Sequence, residues 1–146
     1  NQRGAAGEQV ALADMAHWMP RPSGTGLKVL LAELKSAGQV IKRTSFDAIH
    51  VPGVAGIDFS DAAAVRAALP RMTFIEIKSA SQARVKPGFA GFFFALTEGE
   101  IAAAEVLGPR HRVALYNKLS GELQLSSVQD ILARARSSNW QLSVQL

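Results

Sequence analysis

The sequence contains no cysteine. Disulfide bonds, thiolate zinc sites and a cysteine nucleophile are therefore excluded, while the redox state of the compartment is left open. The three histidines, His17, His50 and His111, include no pair at the spacing of metal ligands, so a histidine-only metal site is not expected. No apolar run approaches the ~18 residues that a membrane-spanning helix needs. Hydrophobic residues make up 48% and charged residues 19% of the 146 positions. This is an ordinary globular composition, from which we expect a single domain over residues 1–146.

The charge balance is basic, with 16 Lys and Arg residues against 12 Asp and Glu residues. A polyanion such as nucleic acid is the partner that this balance favours, although a slightly basic solvated surface explains it equally well. The chain begins with Asn rather than Met and shows no secretory signal at its start. Both features are compatible with a terminal domain of a longer polypeptide.

Hydrophobic periodicity and turn residues predict an alternation of helices and strands. The predicted helices cover residues 7–18, 27–37, 60–69, 97–107 and 127–136. Extended structure is predicted for residues 40–51, 72–78, 92–96, 111–117, 122–125 and 140–146. Thr97 with Glu100 forms a capping-box pattern, and Ser127 with Asp130 repeats it. We expect an α/β fold with a central mixed sheet flanked by helices, preceded by a helical lead-in over residues 1–22.

The segment 74–78 is the most informative for function. Strand alternation points Glu76 and Lys78 to the same side, and burying both charges in a strand would be costly. At the end of a strand that opens into a cleft, both groups become useful. Glu76 can bind a divalent cation, and the carbonyl of Ile77 can add an oxygen ligand. Lys78 can lie against an attacking water or a phosphate.

Asp47 supplies a second carboxylate within an apolar extended stretch. Mg²⁺ prefers oxygen ligands and usually keeps several waters, so two carboxylates and one carbonyl are a sufficient protein share. The bound ion would activate a water, and Lys78 would stabilise the developing negative charge. An ion pair explains the same residues, because Asp47 or Glu76 can simply pair with Lys78 or with an arginine on a half-exposed strand.

An ordered set of motifs over residues 38–120 resembles the PD-(D/E)xK nuclease superfamily, which has the restriction-endonuclease-like fold. The motifs are Phe46-Asp47-Ala48-Ile49, Ile75-Glu76-Ile77-Lys78, Phe92-Phe93-Phe94, Thr97-Glu98-Gly99-Glu100 and Leu115-Tyr116-Asn117. The set is most similar to uncharacterised nuclease-like domains found beside helicase and restriction modules. In that superfamily the acid lies on the second core strand and the E-x-K motif on the third.

The resemblance implies a site and a cofactor. Asp47, Glu76 and Lys78 would be catalytic, and Asp47, Glu76 and Ile77 would bind Mg²⁺, with Mn²⁺ as a substitute. Arg84 and Lys86, just beyond the motif, would contact phosphates. A solvated basic loop accounts for these two cations equally well.

The sequence departs from the superfamily pattern in two places. Phe46 rather than proline precedes Asp47, and 28 residues (48–75) separate Asp47 from Glu76. We interpret residues 60–69 as a helical insertion in this long connection. Without such an insertion, Asp58 or Asp61 would be the alternative partner acid.

The roles of several other residues can be interpreted in two ways. Members of the superfamily often add an acid from the first helix, which here would be Glu8 or Glu33, although both also fit solvated helix positions. Trp18 and Trp140 are interpreted as packing residues rather than as platforms for stacked bases.

The expected function is that of a Mg²⁺-dependent endonuclease of restriction type, acting on DNA in the cytoplasm and without a membrane. A homodimer would suit double-strand cleavage, which often needs two sites. Two alternatives remain at this point. One is a catalytically silent domain of the same fold, used for nucleic-acid binding or other contacts. The other is a toxin-type RNase acting on tRNA or other RNA, secreted as part of a larger protein and paired with an immunity protein.

Overall fold

The computed structural model describes Met15 and residues 17–146. Within these residues, one sheet contains the strands β1 (Met19–Pro20), β2 (Ala48–His50), β3 (Thr73–Ala80), β4 (His111–Asn117) and β5 (Leu123–Ser126), in that spatial order. Strands β3 and β4 are parallel, and all other neighbours are antiparallel. The helices are α1 (Gly24–Ser36), α2 (Ala62–Ala68), α3 (Glu98–Leu107) and α4 (Val128–Arg134). The predicted α/β class is therefore confirmed, and the arrangement is compatible with a restriction-endonuclease-like fold.

Helix α3 connects the two parallel strands, because a parallel pair requires a crossover that returns the chain to the starting end of the sheet. Its predicted capping box is present: the Glu100 N–H donates to Thr97 Oγ1 at 3.1 Å, and the Thr97 N–H donates to Glu100 Oε1 at 3.0 Å. Gly108 ends the helix with a positive φ of 58°. Since α3 runs back along the sheet from the end of β3, its first turn lies beside the last residues of that strand.

All four described helices pack on one face of the sheet. The first core cluster on this face combines Phe46, Ile49 and Phe74 with Leu30 and Leu34 of α1, Val65 of α2 and Leu107 of α3. A second cluster combines Val113 and Leu115 with Ala104 of α3 and Val128 of α4. On the opposite face, Ile75 and Ala114 are buried together with partly buried Trp18. We call these two sides the helix face and the opposite face. None of the described helices has the length and apolar character needed to cross a membrane.

The predicted central strand at residues 92–96 is wrong. Strands β3 and β4 pair directly with each other, which leaves no position for a strand between them. Phe92 and Phe94 pack against the second cluster, whereas Phe93 is exposed. The alternation of these residues therefore reflects packing on the helix face without strand pairing.

Two predicted boundaries near the start of the chain differ from the structure. Helix α1 begins at Gly24, three residues before the predicted start at residue 27. A Cβ on Gly26 would lie 3.0 Å from Cβ of Phe59, so this turn is held by close packing that the sequence does not reveal. The predicted helix at 7–18 lies mostly outside the described residues, and residues 17–22 of the predicted helical lead-in are not helical.

The region between Asp47 and Glu76 contains the predicted helical insertion. Asp61 caps α2 by accepting hydrogen bonds from the N–H groups of Ala63 and Ala64 at 3.1 and 3.3 Å. The extended segment predicted at 40–51 is shorter than expected, because a 3₁₀ turn at Arg43–Ser45 interrupts it before β2.

The predicted closing strand at residues 140–146 is also wrong, since these residues have no secondary structure. Trp140 was interpreted as a packing residue and is instead exposed, whereas Trp18 does pack beside Tyr116. Helix α4 ends at Arg134, slightly earlier than predicted, and the Ser127 side chain caps it by accepting from the Asp130 N–H at 3.1 Å.

Candidate active site on strand β3

Glu76 and Lys78 lie on β3 just beyond the residues that pair with β2, on the same face as Phe74. From Glu76 onwards β3 is paired with β4, and no β2 residue stands opposite it, because β2 pairs only with Thr73, Phe74 and Ile75. Glu76 is 7% exposed and therefore belongs to the interior. Both predicted charges are thus on the helix face, at the point where β3 emerges from the main core.

Lys78 is held by two carboxylates. Its Nζ lies 3.4 Å from Oε1 of Glu76 and 2.9 Å from Oε1 of Glu100. The same ammonium group donates a hydrogen bond to Oε2 of Glu100 at 3.2 Å. The side chain is only 15% exposed, so solvent screens these contacts weakly. The ion pair between Glu76 and Lys78 that the sequence spacing allowed is present, and Glu100 joins it as a third residue.

Glu100 is the site residue that the sequence did not reveal. Its capping-box role explained its position in the sequence, so nothing marked it as a neighbour of the E-x-K motif. The structure gives its carboxylate two tasks, because Oε1 accepts from the Thr97 N–H while both oxygens contact Lys78. Glu100 is 3% exposed. The first turn of α3 therefore contributes a second buried carboxylate, beside that of Glu76, to the surroundings of Lys78.

Asp47 lies at a bend immediately before β2. Phe46 and Ile49 both belong to the first core cluster, although residues three apart in a regular strand point to opposite faces. Strand alternation therefore begins only at Ala48, which reaches the opposite face, and does not extend back through Asp47 to Phe46. Because of this bend, the Asp47 side chain does not follow the in-and-out alternation of β2.

The Asp47 carboxylate reaches the edge of β3 at Ile77. Its Oδ2 accepts a hydrogen bond from the Ile77 N–H at 2.8 Å, and its own N–H donates to the Ile75 carbonyl at 2.7 Å. The N–H and C=O of one residue point to the same side of a strand, so the Ile77 carbonyl faces the side on which Asp47 lies. The predicted carbonyl donor and the predicted acid therefore share one edge of β3.

The ionisation of Glu76 is strongly affected by its burial and by three charged neighbours. Burial, together with the negative charges of Asp47 and Glu100, raises the pKa of this carboxyl to about 8, against the opposing effect of the Lys78 charge. Oε2 of Glu76 is buried and has no hydrogen-bond partner among the described residues. A buried oxygen without a protein partner is rare in native proteins, and an ordered water, a bound ion or a catalytic role accounts for such an atom.

The donor chemistry of this cluster fits a hard divalent cation. Asp47 and Glu76 offer carboxylate oxygens, Ile77 offers a carbonyl, and Oε2 of Glu76 lacks a partner. As arranged here, however, no three His, Cys, Asp or Glu side chains within the described part of the chain are close enough together to hold an ion. The residues are therefore of the right type, and their side chains would have to converge to form a coordination shell.

Two residues outside the motif position the segment that carries Asp47. The Arg21 N–H donates to the Asp47 carbonyl at 2.9 Å, and its guanidinium donates to the Phe46 carbonyl at 3.0 Å. His111 is fully buried, and its Nε2 donates to the Ser45 carbonyl at 3.0 Å. Burial lowers the pKa of His111, so the ring is neutral near pH 7. These contacts join positions far apart in sequence, and no local pattern could have predicted them.

The other predicted residues lie apart from this cluster. Asp58 holds its own turn by accepting from Ser60, and Asp61 caps α2. Glu33 forms a two-point ion pair with Arg66 at 3.0 and 2.9 Å, beside a shallow depression between α1 and α2 that includes no residue of the cluster. Glu8 is outside the described residues. Arg84 and Lys86 are exposed on the loop after β3.

The chain matches no protein-family model, no curated protein and no solved structure when compared with each of these sets. Any function assigned to it therefore rests on the residues described above.

Proposed function

We propose that this chain is a Mg²⁺-dependent nuclease domain that hydrolyses phosphodiester bonds in nucleic acid, with DNA as the preferred substrate. The observation that carries the proposal is the environment of Glu76. Its carboxyl is buried, has an oxygen without a partner, and lies between the charges of Asp47 and Glu100. Perturbed carboxyls of this kind concentrate at functional sites.

The charge of the cluster supports a cation ligand. Asp47, Glu76 and Glu100 carry three negative charges when ionised, whereas Lys78 contributes one positive charge. Because Glu76 and Glu100 are buried whereas Asp47 is exposed, the cost of desolvation falls on the two glutamates, and a divalent cation would offset it. The raised pKa of Glu76 describes the protein without an ion, in which a proton neutralises part of this charge instead.

Each residue then has a distinct role. Asp47, Glu76 and the Ile77 carbonyl hold Mg²⁺, which prefers oxygen donors and would accept Mn²⁺ as a substitute. The bound ion supplies an activated water and neutralises charge on the phosphate. Lys78 stabilises the negative charge that develops during attack, and Glu100 orients the Lys78 ammonium. Arg84 and Lys86 contact the phosphates of the nucleic acid outside the cleaved bond.

A catalytically silent domain of the same fold is the second candidate, and one observation favours it. Asp47 accepts a backbone N–H and Lys78 is paired with two carboxylates, so both have structural partners without any metal. In this case the basic chain would bind nucleic acid without cleaving it.

A cleavage assay on the wild-type chain tests the proposal. Supercoiled plasmid, single-stranded DNA and tRNA are each incubated with Mg²⁺, with Mn²⁺ and with a chelator. We expect cleavage of DNA that requires the divalent ion. Cleavage of tRNA alone would instead support the toxin-type RNase. Salt-sensitive binding without cleavage of any substrate would support the silent domain.

A further inference from the structure

The last ten residues of the chain, 137–146, contain no charged residue, no proline and no glycine. Within them, Trp140, Leu142, Val144 and Leu146 alternate with polar residues. These four side chains are exposed by 86%, 86%, 72% and in full. A period of two with one apolar side is the pattern of a strand that has one buried face. We call residues 140–146 the C-terminal tail.

Strand β5 is an edge of the sheet that lacks the usual protection. The strand order ends at β5, so its outer side has no partner among the described strands. The free backbone groups of an edge strand can pair with another chain. Lysine, proline or a bulge in the edge strand normally prevents such pairing. β5 has the sequence Leu-Gln-Leu-Ser and contains neither a charge nor a proline. The Leu125 carbonyl accepts one long and exposed hydrogen bond, from Arg112 at 3.3 Å.

The exposed apolar residue on this edge matches the apolar side of the tail. Leu125 stands opposite Ala114 in the register, so it points to the opposite face of the sheet, where Ile75 is buried. It is 46% exposed. A strand added beside β5 with Trp140 and Leu142 on this face would cover Leu125 and extend the apolar layer. Its backbone would satisfy the free N–H and C=O groups of the edge.

We propose that the C-terminal tail of one copy of this chain pairs with the outer edge of β5 in a second copy, and that two copies exchange their tails. Among the described residues of one chain both elements are unpaired, and a two-fold exchange satisfies both elements in both copies at once. Neither element contains a charged residue, and the added strand would replace the one long hydrogen bond from Arg112 to the Leu125 carbonyl. The partner is therefore a second copy of this chain, and the interface is an intermolecular strand pair outside the Glu76 cluster.

The first test measures the oligomeric state by sedimentation equilibrium. The wild-type chain should form a dimer. Leu142→Lys places a charge on the apolar side of the tail and should weaken dimerisation by about tenfold or more. The matched control is Ser143→Lys, which adds the same charge one residue later, on the polar side, and should leave the dimer largely intact. A monomeric wild-type chain, or equal dimerisation by both variants, would overturn the proposal.

The second test locates the pairing and uses the absence of native cysteine. Chains carrying Gln124→Cys on β5 are mixed with differently tagged chains carrying Gln141→Cys, Ser143→Cys or Gln145→Cys on the tail. At least one mixture should form a disulfide between the two tags under mild oxidation. In chains that carry both substitutions, an intramolecular disulfide without any intermolecular product would show that the tail returns to its own β5, and this result would contradict exchange. A dimer that forms no such disulfide in any mixture would place the interface elsewhere.

Discussion

The ammonium group of Lys78 lies 2.9 Å from Oε1 of Glu100, an oxygen that also caps the first turn of α3. One carboxylate thereby links the end of β3 to the start of the crossover helix. Any change in the charge of Lys78 is felt by Glu100 and by Glu76, because all three side chains are at most 15% exposed. The E-x-K motif is therefore part of the buried interior that joins β3 to α3, as well as a candidate site.

Removal of the Lys78 charge should destabilise the protein. From the sequence, Lys78 was expected at the end of a strand that opens into a cleft. In the structure, Lys78→Ala leaves two buried carboxyls without their cation, and loss of one member of a buried pair costs about 3 kcal/mol. Denaturant unfolding measures this change. Lys28→Ala, at an exposed position on α1, is the control and should unfold close to wild type. Equal stability of the two variants would mean that the Lys78 contacts contribute little.

The stability of the metal-free protein should fall as pH rises from 6.5 to 8. The ordinary pKa of a glutamate is 4.5 and that of Glu76 in the folded chain is about 8, so the folded state keeps a proton that the unfolded state has released. Raising the pH therefore favours unfolding until Glu76 ionises in the folded protein. Below pH 6.5, His111 has the opposite effect, because its lowered pKa makes the unfolded state take up a proton first.

Melting curves in a chelating buffer measure this dependence. We expect a decrease of about 4 °C or more for the wild-type chain across the window. Glu76→Gln keeps the shape of the side chain but cannot ionise, so its melting temperature should be nearly constant over the same range. The exposed control Glu105→Gln should follow the wild type. A parallel decrease in all three proteins would assign the pH dependence to other groups.

The charge of Asp47 should be visible in the titration of Glu76. Asp47→Asn keeps an oxygen that can accept the Ile77 N–H but removes one of the negative charges that raise the pKa of Glu76. The pKa of Glu76 should therefore fall, as followed by carbon NMR of the side-chain carboxyl. Asp58→Asn, in an exposed turn, should leave it unchanged. If the pKa of Glu76 is the same in Asp47→Asn as in the wild type, the two carboxyls do not interact, and the argument that they share an ion fails.

The elements that the sequence predicted well are those with local signals. The capping box at Thr97 and Glu100 defines the start of α3, and alternating residues define β3. The incorrect predictions fall where a local pattern of alternating apolar residues is compatible with two structures. Alternation at 92–96 corresponds to packing without pairing, and alternation at 140–146 corresponds to an exposed tail, because pairing depends on whether a neighbouring strand edge is free.

The candidate site shows the same division. Strand periodicity was sufficient to place Glu76 and Lys78 on one face. It could not place Asp47, because this residue lies at the bend before β2, where strand alternation does not apply. It also could not reveal Glu100 or Arg21, because their contacts depend on how α3 and the segment before α1 fold back onto β3 and β2.

Metal-dependent cleavage by the wild-type chain and by Glu76→Gln is the most direct test of the proposed nuclease. Both proteins, with Glu105→Gln as the control, are assayed on plasmid DNA at pH 8 with Mg²⁺, after their folding has been verified by melting curves. We predict that the wild type and the control cleave DNA only when Mg²⁺ is present, and that Glu76→Gln does not cleave although it is at least as stable. Cleavage by Glu76→Gln at the wild-type rate, or no cleavage by the wild type with any divalent ion, would contradict the assignment.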